Sequence, residues 1–506
     1  MNMISPKKHR ERVEEIYARL RDEEVRDPYG GRRVNWLNFY KKFNKIIKKN
    51  PELTKIPLLL FGVSRRSYNG YLFDILADKF LLHYLRVKRL STIFSRPIPN
   101  GITLEKMNEN YEYVFVIFDK LAQDMLFPII EKMMLTEKKI LVITSGKEHH
   151  GMDERYREKL EFFIIDKEVI KLPKSILKRI FMRCGKQHDE MAKNVEDDTL
   201  KEFLKVNSAF LGLQIKLANL QYYLFSEIFS KTMPKVIISL NPTVAFEVAK
   251  GLGIKTIMFQ HGLVGDRIPV VWPYVSDYII IWGEIWRENF LKNTDGTVEI
   301  KSLGNPRFDS LVKTSGRSVE NKTQKKKNVV YISAGGDYNE YTRVFFGAIE
   351  KIFGKLDDKI NLIIKLHPRE DIDSKKIFKK CINKEIFNKL IFIKEEPIDE
   401  VILESEVVIL FSSTVILEAI ALQKPVLRIN FTGYPVLDYD DFSKFGLDDA
   451  IFNPQELLDN MEKCLNDDDN YRKIMIKKQN NFLNKYISNL GISADAVTKF
   501  ITEISR

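Results

Sequence analysis

Cysteine, histidine and long apolar segments are all scarce in this sequence of 506 residues. Cys184, Cys381 and Cys464 lie far apart, which excludes the close spacing of a zinc knuckle, and an odd number cannot pair fully within one chain. The longest apolar runs are far shorter than the roughly 20 residues that span a bilayer, and no signal-peptide apolar segment follows the charged N-terminus. We therefore expect a cytoplasmic protein, either soluble or peripheral on the inner membrane face.

Positive charge is in excess and unevenly distributed. The net charge is +12, and residues 1–50 contain 14 Lys and Arg against 7 Asp and Glu. Such an excess attracts nucleic acid, anionic lipid or anionic substrates, and it also fits a solvated basic helix without a partner. Because no motif typical of nucleic-acid binding is present, we expect no nucleic-acid partner. A non-catalytic protein that binds nucleic acid or a lipid surface is the alternative outside the enzymes.

Strand-like and helix-like segments alternate along the chain, and this alternation predicts parallel sheets. The predicted strands cover residues 56–63, 113–118, 139–144, 162–165, 236–240, 255–259, 277–282, 298–303, 329–333, 361–366, 390–393, 406–411 and 425–429. The predicted fold class is α/β, with two tandem Rossmann-like domains, a cleft between them and a helical N-terminal extension.

A polar stretch without apolar periodicity, residues 313–327, is typical of a surface linker. It divides the chain into a basic helical extension, a first Rossmann-like domain with helical insertions on the acceptor side, and a second Rossmann-like domain for a nucleotide donor. C-terminal helices are expected to pack back on the first domain. The predicted bounds are 1–50, 51–312, 328–468 and 469–506.

Two of the seven histidines follow buried strands, where open α/β sheets bind their ligands. His261 lies within Gln260-His261-Gly262, and an imidazole there can act as a general base toward an acceptor hydroxyl. Gly262 gives the ring room, Asp266 can orient it, and Arg267 can hold an anionic group. The alternative for His261 is a buried histidine satisfied by backbone groups.

The second histidine, His367, precedes a proline that favours extended backbone, so its ring is expected at a strand end. There it can donate to a phosphate oxygen, and Arg369 can add a charge-assisted contact. The turn from Ser333 through Gly335 and Gly336 opens the second domain and permits close approach of a ligand. A histidine that only ends a strand is the alternative.

Three hydroxyl residues, Ser412, Ser413 and Thr414, precede a helical segment. Their hydroxyls and the free backbone N–H groups can hold a diphosphate, although serine and threonine are also ordinary helix caps. Glu418, one turn into the helix, can accept from ribose hydroxyls, or it can be an exposed helical glutamate. With the two histidines, this pattern predicts a transferase that uses a nucleotide-activated donor.

Residues 171–186 combine an apolar helical face with surrounding basic side chains, a pattern typical of interfacial helices. This segment and the basic N-terminus are candidates for peripheral membrane contact. The alternative is a helix that packs on the core and exposes its basic side to solvent.

The ordered motifs resemble a known family. The series runs through Gln260-His261-Gly262, Trp282-Gly283-Glu284, Gly304-Asn305-Pro306-Arg307-Phe308-Asp309, His367-Pro368 and Ser412-Ser413-Thr414 with Glu418. It is similar to surface-polysaccharide glycosyltransferases of GT-B fold, in particular the CDP-glycerol glycerophosphotransferase-like and capsule-type group. The resemblance spans roughly residues 230 to 450.

The resemblance implies transfer of a sugar or sugar-like group from a nucleotide-activated donor to a glycan or lipid-linked acceptor. It implies that His261 is the catalytic base, that His367, Ser412 and Ser413 contact donor phosphates, and that no metal or other cofactor is needed. The nucleotide, whether UDP, CMP or CDP, stays open. Residues 438–441 mimic a metal-binding Asp-x-Asp motif, but we interpret them as a solvated loop.

Two departures from the family pattern bear on the reaction. Teichoic-acid polymerases usually follow His-Gly with Thr-Pro, whereas this chain has Leu263-Val264-Gly265, which argues against glycerol phosphate as the transferred group. Retaining enzymes of this fold often carry a second glutamate eight positions before Glu418, where this chain has Leu410, so we expect inversion. A CDP-glycerol-type glycerophosphotransferase and a non-hydrolysing nucleotide-sugar 2-epimerase are the alternatives.

Overall fold

The computed structural model describes residues 101–107, 111–136, 138–180, 208–240, 244–262, 276–291, 297–315, 326–333, 339–356, 358–367, 379, 382–411, 413–431, 442, 446–447, 450–466 and 469–506. The predicted N-terminal helices and the predicted strand at residues 56–63 lie outside these ranges.

Strands of the first half form one parallel sheet of eight described strands. They are β1 (Gly101–Ile102), β2 (Tyr113–Ile117), β3 (Ile140–Thr144), β4 (Glu161–Ile164), β5 (Val236–Ser239), β6 (Lys255–Phe259), β7 (Tyr278–Ile281) and β8 (Glu299–Ser302). Their order is β1-β4-β3-β2-β5-β6-β7-β8, and every pairing is parallel.

A second parallel sheet contains five described strands in the order β11-β10-β9-β12-β13. They are β9 (Lys327–Ile332), β10 (Ile360–Lys365), β11 (Ile391–Ile393), β12 (Val407–Leu410) and β13 (Val426–Arg428). Two parallel sheets in succession are the arrangement of two Rossmann-like domains, so the predicted fold class is confirmed.

Helices connect the strands. The described ones are α1 (Lys120–Met134), α2 (Gly146–His150), α3 (Glu154–Lys159), α4 (Ile165–Lys171), α5 (Ser208–Thr232), α6 (Val244–Gly251), α7 (Arg287–Leu291), α8 (Arg307–Ser315), α9 (Asn339–Leu356), α10 (Lys384–Lys389), α11 (Ile398–Leu403), α12 (Val415–Ala421), α13 (Pro454–Leu465), α14 (Asp469–Tyr486) and α15 (Ser493–Ile504).

Both faces of each sheet are buried, because helices cover them on either side. In β2, Tyr113 and Phe115 contribute to a core under α1 and α15, whereas Val114 and Val116 face a second core. That second core also contains Val330 of β9, so it continues from the first sheet to the second. The strands therefore consist of continuous apolar runs.

The C-terminal segment returns from the second sheet to the first. In α14, Gln479 donates to the Val426 carbonyl at 3.0 Å, and Tyr486 packs edge-to-face on Trp286 of the first half, with 4.9 Å between ring centroids. Helix α15 then lies against α1, where Lys132 and Asp495 form an ion pair of 2.6 Å. The last two helices thus tie the two sheets together.

Candidate active site

His261 lies two residues beyond β6, at the carboxyl edge of the first sheet. The preceding Gln260 is buried, and its side chain accepts from the backbone N–H of Trp282 and donates to the Gly262 carbonyl, both at 2.9 Å. The indole N–H of Trp282 donates to the Gln260 carbonyl at 2.9 Å. These bonds fix the backbone on both sides of His261.

The electrostatic environment of His261 suits a base at neutral pH. The residue is exposed at the sheet edge, yet nearby protein removes part of its hydration, and this desolvation lowers the pKa of the imidazole. The negative charge of Asp119 opposes the shift. Asp119 lies two residues beyond β2 and caps α1 by accepting from the Ala122 N–H at 2.7 Å. We did not single out Asp119 from the sequence, although its position after a predicted strand indicated a residue at the sheet edge.

At the carboxyl edge of the second sheet, three neighbouring strands bring predicted donor-site residues together. The register pairs Ile332 of β9 with Lys365 of β10 and with Leu410 of β12. Consequently Ser333 and His367 lie at the same edge, and the Ser333 N–H donates to the Lys365 carbonyl at 3.0 Å. Ser333 is buried and His367 is partly buried.

The hydroxyl residues before α12 differ in their roles. Ser413 accepts through its hydroxyl from the Val415 N–H at 3.3 Å, as a capping residue does. Thr414 is exposed, and its side chain makes no capping bond. The ordinary capping role therefore applies to Ser413, and the described contacts leave the predicted phosphate role open for Thr414.

Arg307 and Glu418 join the two sheet edges. Arg307 begins α8, shortly after β8, while Glu418 lies in α12, shortly after β12. A guanidinium nitrogen of Arg307 lies 3.1 Å from Oε2 of Glu418. Since both residues follow carboxyl ends of strands, the carboxyl edges of the two sheets face each other. Glu418 is buried, which excludes the exposed-glutamate alternative. Its donor-site role stays a prediction.

The Gly304-Asn305-Pro306 motif supports this junction. Gly304 has a φ of +92°, and a Cβ there would overlap the Ser488 carbonyl and the Ser493 hydroxyl. The Asn305 side chain accepts from the Arg307 N–H at 3.1 Å and so starts α8. Four residues after Asn305, Asp309 accepts from the Ser493 and Ala494 N–H groups at 2.9 and 2.7 Å. The motif therefore anchors α8 and the C-terminal segment.

Several predicted site residues lie outside the described ranges, and their roles stay predictions. They are Asp266, Arg267, Gly335, Gly336, Arg369 and Ser412, together with the acidic stretch at residues 438–441. In the described ranges, no group of three or more His, Cys, Asp or Glu side chains is arranged to hold a metal ion.

For the proposed interfacial helix, the structure describes residues 171–180. Leu177 is buried in the core shared by both sheets and Ile180 packs against it, while Lys178 and Arg179 are exposed. This arrangement supports the core-packing alternative for the described part. Across the described ranges, every helix is too short or too polar to cross a bilayer.

Solved structures share this architecture. The alignment with UDP-GlcNAc 2-epimerase from Methanocaldococcus jannaschii covers 77% of this chain and 99% of the epimerase chain, with 16% identity and a TM-score of 0.51. The UDP-GlcNAc 2-epimerase from Neisseria meningitidis, bound to UDP-GlcNAc, is 13% identical, with a TM-score of 0.50. That alignment also covers 77% of this chain and 99% of the epimerase chain. At these identities the likeness shows the fold alone: a double Rossmann-like α/β protein.

A family model also matches the second part of the chain. Residues 271–502 match the model described as CDP-Glycerol:Poly(glycerophosphate) glycerophosphotransferase, which confirms the resemblance drawn from the motifs. The wall teichoic acid polymerase TagF aligns over 87% of this chain and 98% of that chain, with 12% identity and a TM-score of 0.48. No curated protein sequence matches the chain.

Proposed function

We propose that this protein transfers a sugar or sugar-like group from a nucleotide-activated donor to a hydroxyl of a glycan or lipid-linked acceptor. The observation that carries the proposal is the 3.1 Å contact between Arg307 and Glu418, because it sets the carboxyl edges of both sheets against each other. His261 lies at one edge and His367 at the other. Ligands of open α/β sheets bind at such edges.

In the proposed reaction, an imidazole nitrogen of His261 takes the proton of the acceptor hydroxyl. The acceptor oxygen forms a bond to the anomeric carbon of the donor sugar, and the bond from that carbon to the phosphate oxygen breaks. The electron pair leaves with the nucleotide phosphate, whose charge His367 stabilises by donating a hydrogen bond. A single displacement of this kind inverts the anomeric centre.

Glycerol phosphate is the second candidate for the transferred group, and the family match favours it. The acceptor oxygen would then attack the distal phosphorus of the donor, and the nucleoside monophosphate would leave with the electron pair. His261 and His367 would keep the same roles. The residues after His261, Leu263-Val264-Gly265, favour the sugar.

A donor panel tests the proposal. The full chain is incubated with UDP-, CMP- and CDP-linked donors, including CDP-glycerol, and its thermal unfolding is measured beside samples that contain DNA or RNA. Stabilisation by one class of donor, with no effect of nucleic acid, supports a transferase, and the stabilising donor identifies the transferred group. Stabilisation by nucleic acid alone, or isomerisation of a nucleotide sugar without an acceptor, contradicts it.

A further inference from the structure

Arg307 and Glu418 form an ion pair in which one side chain is partly exposed and the other is buried. The Glu418 side chain is 4% exposed, whereas that of Arg307 is 26% exposed and reaches it from the other half of the molecule. A buried carboxylate needs a charged or hydrogen-bonding partner to stay ionised. Among the described contacts, the guanidinium of Arg307 is that partner.

The surrounding charges make the ionised state of Glu418 depend strongly on Arg307. Burial raises the pKa of the Glu418 carboxyl, the charge of Arg307 lowers it, and the charges of Asp399 and Asp124 raise it further. Asp124 also lies 4.0 Å from the Nε of Arg307 and pairs with Lys120 at 2.9 Å. The guanidinium is thus held between a carboxylate of α1 and the carboxylate of α12.

A carboxylate has about four lone-pair positions, so one bond from Arg307 does not exhaust its capacity as an acceptor. We propose that Arg307 is a positioning residue of the donor site, which holds the Glu418 carboxylate in the orientation that accepts hydrogen bonds from the ribose hydroxyls of the nucleotide. The first half of the molecule thereby completes a nucleotide site located on the second. This inference rests on the proposed function.

The test measures the affinity of CDP and UDP, and of their 2′,3′-dideoxy counterparts, by calorimetry at pH 6 and pH 8. For Arg307→Gln we expect about a tenfold or larger loss of affinity for the ribonucleotide, greater at pH 6, because an unsupported Glu418 is protonated more readily. Affinity for the dideoxynucleotide should stay the same, which also shows that the variant folds. Arg307→Lys should restore part of the loss.

Arg155→Gln is the matched control. Arg155 pairs with Glu131 at 3.4 Å and with Asp153 at 3.1 Å, all within the first half, and the variant should bind as the wild type does. In a Glu418→Gln background, Arg307→Gln should add no further loss, since the carboxylate that it serves is gone.

The outcomes separate this inference from the proposed function. If the wild-type protein binds none of these nucleotides, the proposed function fails and the role of Arg307 fails with it. If the wild type binds but Arg307→Gln leaves the preference for ribose intact, or weakens both kinds of nucleotide equally, the role of Arg307 alone is overturned.

Discussion

The side chains of Gln260 and Trp282 hold each other's backbones: Gln260 accepts from the Trp282 N–H, and the Trp282 indole donates to the Gln260 carbonyl, each at 2.9 Å. With the bond from Gln260 to the Gly262 carbonyl, they fix the turn that presents His261. Gln260, which the sequence showed only as part of the Gln-His-Gly motif, thus has a defined structural role.

Gln260→Leu should lower the free energy of unfolding by about 1 to 3 kcal/mol, because it leaves the buried Trp282 N–H and the Gly262 carbonyl without their partner. Urea denaturation measures the change. Gln455→Leu is the control, since the described bond of Gln455 is an exposed one from its side chain to Asp459, and its effect should stay within about 0.5 kcal/mol. Equal effects of both substitutions would argue against the role given to Gln260.

Gly304→Ala should destabilise the protein by several kcal/mol, because the new methyl group meets the Ser488 carbonyl at a backbone angle that side chains rarely adopt. The melting temperature and the urea midpoint should both fall. Gly347→Ala, inside α9, meets no atom within 4 Å and should be neutral or stabilise by up to about 1 kcal/mol. A Gly304→Ala protein as stable as the wild type would refute the close packing of the C-terminal segment.

Because His149 is buried, we expect the stability of the fold to fall in acid. Its buried ring packs on Phe162, neither ring nitrogen has a partner among the described residues, and burial, followed by the charges of His150, Arg157 and Lys167, lowers its pKa from 6.5 to about 4. The unfolded chain therefore binds the proton more readily. The contribution of the neutral ring is complete above pH 6.5 and is lost as the pH falls from 6.5 to about 4.

Between pH 6.5 and about 4, His149 should lower the free energy of unfolding by on the order of 3 kcal/mol. Urea denaturation at pH 7 and pH 4.5 checks it, and His149→Leu should remove most of the dependence. His150→Gln, at the exposed neighbouring position, should keep most of the wild-type dependence, because burial, the largest cause of the lowered His149 pKa, is unchanged. If His149→Leu and the wild type lose stability in parallel, another group causes the acid sensitivity.

His367→Ala should weaken donor binding by about tenfold or more, since a hydrogen bond to a charged phosphate is lost. Calorimetry with the donor identified by the panel measures the affinity. His150→Ala serves as the control and should bind normally. Unchanged affinity of His367→Ala would remove His367 from the phosphate site.

The strands were predictable from the sequence because buried parallel strands are continuous apolar runs between polar turns. Each of the twelve strands predicted between residues 113 and 429 is present within two residues of its predicted bounds. The short strand β1 was missed, because two residues give no periodicity. The order of strands in each sheet was not predicted, since apolar runs alone do not specify which strands pair.

Of the candidate site, the sequence indicated the positions at strand ends but not the contacts between distant residues. The Arg307 and Glu418 side chains meet across 111 positions of sequence, and no spacing rule links them. Asp119 was overlooked because a single aspartate at the start of a helix is typical of an ordinary cap. The burial of Glu418, similarly, depends on tertiary packing rather than on its position within α12.

If His261 is the base of the group-transfer reaction, its removal should slow the transfer step itself, which is measured as the rate of His261→Ala at saturating donor. We predict a rate lower by about 10² to 10⁴ with unchanged donor affinity. In the wild type, the rate should rise with pH through a pKa below 6.5, because desolvation by nearby protein lowers the pKa of the imidazole and the neutral ring is the active form. Transfer by His261→Ala at the wild-type rate would contradict the account.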